Sequence, residues 1–336
     1  MRILLIVHDN EKFINGFPIG LGYIASVLLK NHYDVEIYNQ DMHHYPDNHL
    51  KYYLDNNKFD IIGIGFVAGY YEYRKILSLS MAINSSKNRP FYIIAGHGPS
   101  PEPEFFLKKT KADAVVIGEG EVTILNLLNA LNHKKSLKNV KGIAYKDGNE
   151  VIINERQPLI KNIDDLPFPA YHKFPMHFYR LNRRGQRIKN TDFVGWMISG
   201  RGCKFNCNFC YRMDKGFRPR SNQSIIEEIK YLQKDYGISY IIFQDELLMS
   251  SETRTISLCE DILRSNISVK WNCNGRLNYA KREVLKLMKK AGCICINYGV
   301  ESFDDTVLVK MNKGLTTTQI EAGIQLTLEY DIIAKF

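Results

Sequence analysis

The sequence predicts an α/β protein: a doubly wound, Rossmann-like parallel sheet followed by a partial (β/α) barrel. Three observations predict it. Short apolar runs alternate with helical patterns along most of the chain, the mark of parallel strands joined by covering helices. Polar residues and glycines gather where those apolar runs end, the face on which both architectures bind ligands. The 336 residues suffice for about two domains at roughly 150 residues each.

The N-terminal strands are RILLIV (2–7), DVEIYN (34–39), DIIGIGF (60–66), FYIIAG (91–96) and AVVIG (114–118). Between them, Leu21, Ile24/Ala25 and Leu28 recur at the three-and-four spacing of a helix face. Ile124, Leu127/Leu128 and Leu131 do the same. Three strand ends are rich in glycine: GFVAG (65–69), AGHGPSP (95–101) and IGEGE (117–121). Glycines let backbone approach a ligand with its amides pointing at polar groups, so three such loops on one sheet edge favour a crevice over plain turns. This first domain is expected to span residues 1–138.

Residues 139–190 change character. GIAYKDGNEVI reads as a hairpin with Asp147-Gly148 at its turn. DDLPFPAYHKFP carries Pro167, Pro169 and Pro175, which exclude regular helix or strand and suggest a linker. The densest basic run follows, with Arg180, Arg183, Arg184, Arg187 and Lys189 in RLNRRGQRIK. A solvated connector is the preferred reading and an anionic contact the other.

Alternation resumes over residues 191–336. FVGWMIS is a strand, and SIIEEIKYLQKDYG is a helix with Ile225, Ile229 and Leu232 on one face and Gly237 as its stop. Strand YIIFQ runs into Asp245-Glu246. A helix over about 252–264 leads to strand VKWNC and Asn274-Gly275-Arg276. Helix REVLKLMKKAG precedes strand CICINYGV, which runs into Glu301-Ser302, and a last helix opens at threonines 316–318. The terminal IIAKF reads as a fifth strand barely begun, implying an incomplete barrel whose open edge needs covering.

Hydrophobic residues make up 45% of the chain and charged ones 24%, as in a soluble globular protein. No apolar run approaches the roughly 20 residues that cross a bilayer, and MRILLIVHDNEKF reads as a first strand, not a leader. A reducing, cytoplasmic setting and no membrane partner are expected, so the seven cysteines are metal ligands or buried thiols. The net charge of +9 admits a nucleic-acid partner, but spread over a Lys- and Asn-rich chain it does not call for one.

In GRGCKFNCNFCY (200–211), Cys203, Cys207 and Cys210 fall within eight residues, at gaps of three and two. A zinc ribbon needs a second CxxC pair or matched histidines, and neither is present. Cys293 and Cys295 lie within one strand with both side chains on the same face. Cys259 lies mid-helix and Cys273 ends a strand, so these last two read as small buried hydrophobes, and local sequence supplies no four-cysteine cluster. Three thiolates on a four-iron cube leave one iron open to a non-protein ligand.

With Phe209 just before the third cysteine, this C-x3-C-x2-C loop after a barrel strand resembles the radical SAM superfamily. The resemblance implies a [4Fe-4S] cluster on Cys203, Cys207 and Cys210 that binds and reductively cleaves S-adenosylmethionine (SAM) to a 5′-deoxyadenosyl radical. Phe209, Asp245, Glu246, Arg276 and Glu301 are its expected SAM contacts. QDE departs from the family's common Gly-Gly-Glu, which leaves the choice between Asp245 and Glu246 open. Arg276 and Glu301 could instead form an ion pair across the barrel mouth. The family's adenine-contacting segment would fall beyond Phe336.

PIGLGYIASVL, AGHGPSPEPEF, VVIGEGE, DDLPFPAY and YGVES…MNKG also resemble the cobalamin-binding class of that superfamily, which includes methylases and anaerobic cyclases; the match covers nearly the whole chain. It implies cobalamin over the glycine-rich strand ends, contacted by Gly20, Gly65, Gly69, Gly96, His97, Gly98, Ser100, Gly118, Glu119 and Gly120. Asp41-Met42-His43-His44-Tyr45-Pro46 only half-mimics a cobalt-ligating D-x-H-x-x-G, lacking the glycine and following the second strand, so His43 reads as a surface histidine. The implied activity is methylation, cyclisation or rearrangement at an unactivated carbon of a small molecule or peptide, fed by a flavodoxin- or ferredoxin-type donor. The alternatives are a radical SAM enzyme with a scaffold-only first domain, or a non-catalytic iron–sulfur protein that binds nucleic acid.

Overall fold

Five parallel strands open the chain: β1 (Arg2–Val7), β2 (Asp34–Asn39), β3 (Ile61–Gly65), β4 (Phe91–Ala95) and β5 (Ala114–Val116). In the computed structural model, which describes residues 1–10, 16–67, 69–183 and 185–336, they stand in the order β2-β1-β3-β4-β5. Apolar residues on both faces of β1 and β3 are the reason they lie inside such a sheet. The helices are α1 (Ile19–Lys30), α2 (Gln40–His43), α3 (Asp47–Asn56), α4 (Tyr70–Asn84), α5 (Pro103–Thr110) and α6 (Gly120–Asn132). Helix α1 packs with α6, while α3, α4 and α5 form a second row, giving the two layers of a doubly wound domain. Leu4, Ile6, Ile62, Ile64, Leu79 and Leu107 are central to its core.

The hairpin extends this sheet. Strands β6 (Ile143–Asp147) and β7 (Glu150–Ile153) add antiparallel to β5, and Asp147 pairs with Glu150. The turn is therefore centred on Gly148-Asn149, one residue later than the sequence suggests, because Gly148 takes the left-handed conformation (φ 61°). The compact unit so formed comprises Met1–Ile160 and Leu166–Pro175. Part of the proline-rich stretch belongs to it: the Ala170 N–H donates to the Gly22 carbonyl at 3.0 Å, and Tyr171 and Phe174 pack on Phe17.

A second unit comprises Lys161–Asp165 and Met176–Phe336. After the short α7 (Met176–Tyr179) come β8 (Val194–Met197), then β9 (Gly200–Cys203) and β10 (Gly216–Pro219). Next are α8 (Asn222–Tyr236), β11 (Tyr240–Phe243), α9 (Glu252–Arg264), β12 (Lys270–Gly275) and α10 (Arg282–Lys290). β13 (Cys293–Tyr298), α11 (Asp305–Lys310), α12 (Thr317–Glu329) and β14 (Ile333–Lys335) close the unit. The order β8-β11-β12-β13-β14, parallel throughout, is that of a growing (β/α) barrel. Ser221, Ser251 and Thr316 cap the helices that follow the first, second and fourth strands, and Thr316 with Gln319 forms a reciprocal capping box.

The basic run is tied down inside this unit. Arg180 lies over the Phe193 ring at 4.3 Å and donates to the Tyr236 carbonyl; Arg183 donates to the Asn190 carbonyl at 2.7 Å. Arg187 joins Lys289 on the Asp331 carboxylate, just ahead of β14. Arg184 lies outside the described residues.

Candidate active site

The cysteine loop is not a simple extension of β8. It is the tip of an antiparallel hairpin in which β9 ends on Cys203 and pairs with β10. Gly202 makes that pairing possible: its φ is +82°, and a Cβ there would lie 2.4 Å from the Gly216 carbonyl oxygen. Beyond it, Cys203 is half-buried, Cys207 buried and Cys210 exposed. Burial first, then the facing Cys203 and Cys207, push the Cys210 thiol above its ordinary range, so the three sulfurs share one locality.

No other cysteine joins them. Cys259, Cys293 and Cys295 are buried, and desolvation pushes their thiols up; Cys273 is buried beside Cys293. Among the described residues no three His, Cys, Asp or Glu side chains converge to hold a single metal ion. Three sulfurs spread around one loop suit a polynuclear cluster, whose separate corners each take one thiolate. The donor set fits the expected group.

A second segment, absent from the candidate residues chosen by sequence, holds the loop from the far side. Asn208 N–H donates to the Met311 carbonyl at 3.0 Å and its side-chain amide to the Lys310 carbonyl at 2.8 Å. Asn312 returns a bond to the Asn206 carbonyl at 2.8 Å. Lys313, itself buried, sets its ammonium 3.2 Å from Glu301 and 5.5 Å from the centre of the Phe209 ring. The only sequence signal was MNKG, a turn that Gly314 completes with φ +63°.

The remaining expected contacts separate by burial. Asp245 is 1% exposed and its carboxylate is enclosed, accepting from Ser199 N–H at 2.8 Å and Ser199 Oγ at 2.9 Å, while Arg254 also binds that serine. Glu246 is exposed and accepts from Gly202 N–H at 3.1 Å, so it stands against the cysteine hairpin. Glu301 holds a left-handed backbone (φ +70°), uncommon for a side chain of its size and frequent at functional sites. The alternative Arg276–Glu301 ion pair is not formed: Lys313 takes Glu301, and Arg276 turns to Cys207, with 3.6 Å between Nη1 and Sγ.

Burial pushes the Asp245 carboxyl up to about 6, against the opposing Ser199 hydrogen bonds and Arg254. A carboxyl whose folded pKa exceeds its unfolded value binds its proton first in the native state. Its stabilising effect is complete below about pH 4 and is lost as pH rises through about 6. Relative to Asp245→Asn, the wild type should therefore lose of order 2–3 kcal/mol of unfolding free energy between pH 4 and pH 7. Urea titrations of both proteins across that range measure it, and a pH-independent difference would refute it.

In the first unit the expected cobalamin residues all lie at the carboxyl ends of β3, β4 and β5 or at the start of α1, beside the β1/β3 switch point. Gly20, Gly69 and Gly118 face open space, since a Cβ on any of them would meet nothing within 4 Å. Gly65 meets only Leu21, and His97 is exposed. The others hold the rim together. Ser100 Oγ donates to the Gly96 carbonyl at 2.7 Å and accepts from Gly118 N–H at 3.2 Å, bridging two loops. Glu119 accepts from Ile160 N–H at 2.9 Å, Gly120 lies against Ile24, and Gly98 against the Phe66 ring. An open cradle floored by glycine with a polar rim fits a large planar cofactor. His43 is exposed and stacks on Tyr45 at 4.9 Å, while His44 turns its Nδ1 to Asp9 at 2.8 Å.

Gly96 is the tightest point: its φ is +111°, and a Cβ there would lie only 2.1 Å from the Phe66 carbonyl oxygen. Gly96→Ala should cost at least about 2 kcal/mol and displace the Phe66–Gly98 loop contact. Thermal unfolding together with cobalamin retention checks this; an unchanged melting temperature would count against it.

In comparison with known proteins, one family model matches within each of the two units. Residues 197–335 match the radical SAM superfamily model and residues 15–128 the B12 binding domain model. An uncharacterized methyltransferase of Pyrococcus horikoshii is 30% identical over 99% of this chain and 72% of its own length. The anaerobic magnesium-protoporphyrin IX monomethyl ester cyclase of Rubrivivax gelatinosus is 26% identical over 100% of this chain and 61% of its own. The solved structure of the cobalamin-dependent S-adenosylmethionine radical enzyme OxsB with aqua-cobalamin bound shares the fold, with TM-score 0.83 at 22% identity. It covers 99% of this chain, which spans 48% of that one.

Proposed function

Because this chain belongs to the radical SAM superfamily and carries a B12 binding domain ahead of its radical SAM domain, we propose that it is a cobalamin-dependent methyltransferase acting on an unactivated carbon. The observation that carries the reading is the hairpin-borne trio Cys203, Cys207 and Cys210, with every other cysteine buried elsewhere. When bound, the cluster and SAM supply a hydrogen-abstracting radical and cobalamin supplies a methyl carrier. The three cysteines hold the cluster. Glu246, exposed beside the hairpin, is suited to the SAM ammonium; Asp245, enclosed by Ser199, positions that turn instead. Glu301 and Lys313 offer one charge of each sign next to Phe209. The glycine-floored cradle of the first unit would receive cobalamin, with the exposed His97 as a polar contact. A low-potential flavodoxin or ferredoxin in a reducing cytoplasm suits the electron supply, and the substrate is a small molecule or peptide.

Cyclisation is the second reading, favoured by a similarity to the anaerobic cyclase that runs over the whole of this chain and 61% of that protein. The stoichiometry of SAM products separates the two. Methyl transfer consumes one SAM as methyl donor and another as radical source, so S-adenosylhomocysteine and 5′-deoxyadenosine accumulate together, and CD3-labelled SAM adds a labelled methyl to product. Cyclisation yields 5′-deoxyadenosine with no label in product. Anaerobically reconstituted protein given CD3-SAM, cobalamin and dithionite, with no S-adenosylhomocysteine formed, would exclude the methyltransferase.

A further inference from the structure

Arg276 is a buried cation in want of a counter-charge. It is 6% exposed, and among the described residues no carboxylate lies within ion-pairing distance, Glu301 being taken by Lys313. Its Nε donates to Asn278 Oδ1 at 3.1 Å, Nη2 donates to the Lys313 carbonyl, and the guanidinium lies over Phe205, 3.6 Å from the ring centre. Nη1 points at Cys207 Sγ, 3.6 Å away. Burying a guanidinium against neutral acceptors alone is costly, and the cost falls sharply if the sulfur is a thiolate. Arginine suits this place better than lysine, because its rigid fork serves carbonyl, amide and sulfur at once while stacking on an aromatic face.

We propose that Arg276 is an electrostatic partner of the iron–sulfur cluster: its N–H···S contact to Cys207 raises the cluster's reduction potential and so eases its one-electron reduction. The inference rests on the cluster assignment above. One added electron makes the cluster more negative, and a desolvated cation beside one of its sulfurs favours that state. Hydrogen bonds to cluster sulfurs are among the terms that set such potentials. The role differs from that of a clamp for the SAM carboxylate, because it operates without SAM.

The test is an electron-paramagnetic-resonance redox titration of reconstituted protein without SAM, with iron content and visible spectrum recorded in parallel. Arg276→Gln should keep its iron yet show a reduced-to-oxidised ratio about tenfold lower at a fixed potential, a downward shift of about 59 mV for one electron. Phe205→Leu removes the surface on which the guanidinium lies and should shift the potential the same way by a smaller amount. If Arg276→Gln does not fold, this second variant decides. An unchanged potential in an iron-replete variant overturns the inference and leaves the cluster assignment standing. Wild-type protein without a cluster overturns both.

Discussion

Replacing any one of Cys203, Cys207 or Cys210 by alanine is expected to strip the protein of its iron and abolish reductive cleavage of SAM. Each sulfur occupies its own place on the hairpin tip, and no other cysteine is at hand to replace it. Altering a residue that merely orients a metal ligand costs about 10–100-fold in affinity or activity, so loss of a ligand should exceed that. The readouts are iron per chain, the charge-transfer colour and 5′-deoxyadenosine formed from SAM and dithionite. Cys259→Ala is the control. That thiol is fully buried in α9, and its removal should leave iron binding intact while costing only packing. A Cys203→Ala, Cys207→Ala or Cys210→Ala protein that stays brown and cleaves SAM would remove the foundation of the proposed function.

Glu228→Ala is expected to be strongly destabilising, because it breaks a buried ion pair beneath the cysteine hairpin. Arg220 follows β10 at the base of the hairpin, 4% exposed, and pairs with the fully buried Glu228 of α8. The same guanidinium donates to the Ile198 carbonyl at 2.8 Å and to Ser224 Oγ at 2.8 Å, so it joins the end of β8, the hairpin and α8. Removing only the carboxylate leaves the buried guanidinium with the more distant, partly exposed Asp164, 4.0 Å from its Nε, as its counter-charge, a loss of about 3 kcal/mol. Replacing both partners, as in Arg220→Met with Glu228→Leu, should cost far less, because neither charge then has to be desolvated. Chemical denaturation of the single and double variants tests the claim. Equal destabilisation in the two would show that the charges do not matter and only shape does. Because the pair underlies the hairpin, iron retention should fall with stability in Glu228→Ala.

The strands and helices of both units were legible because each is written in neighbouring residues. Short, isoleucine-rich runs closed by glycine such as Ile61–Gly65 read as buried strands by their length and β-branched content, and Ile225, Ile229 and Leu232 form a stripe only on a helix. Two local features misled or escaped. The hairpin turn moved one residue to Gly148-Asn149, because the left-handed glycine must lie inside the loop. The β9–β10 pair escaped because strands of four residues carrying Arg201, Cys203 and Arg218 show no apolar alternation. Its one trace was Gly202, whose contact with Gly216 forms only once the loop closes.

What the chain alone determined is the kind of protein this is: two parallel-sheet units, glycine at the strand ends of the first, and three cysteines spaced for a cluster in the second. Those properties depend on residues close together in sequence, where spacing translates directly into geometry. Tertiary structure alone decided how the charges are partnered. It enclosed Asp245 and exposed Glu246, gave Glu301 to Lys313 and turned Arg276 to Cys207. It also laid the 310–314 turn against a loop 102 residues earlier in the chain. A charge takes whichever partner the folded backbone brings within a few ångströms, and over such separations no local pattern records which partner that is.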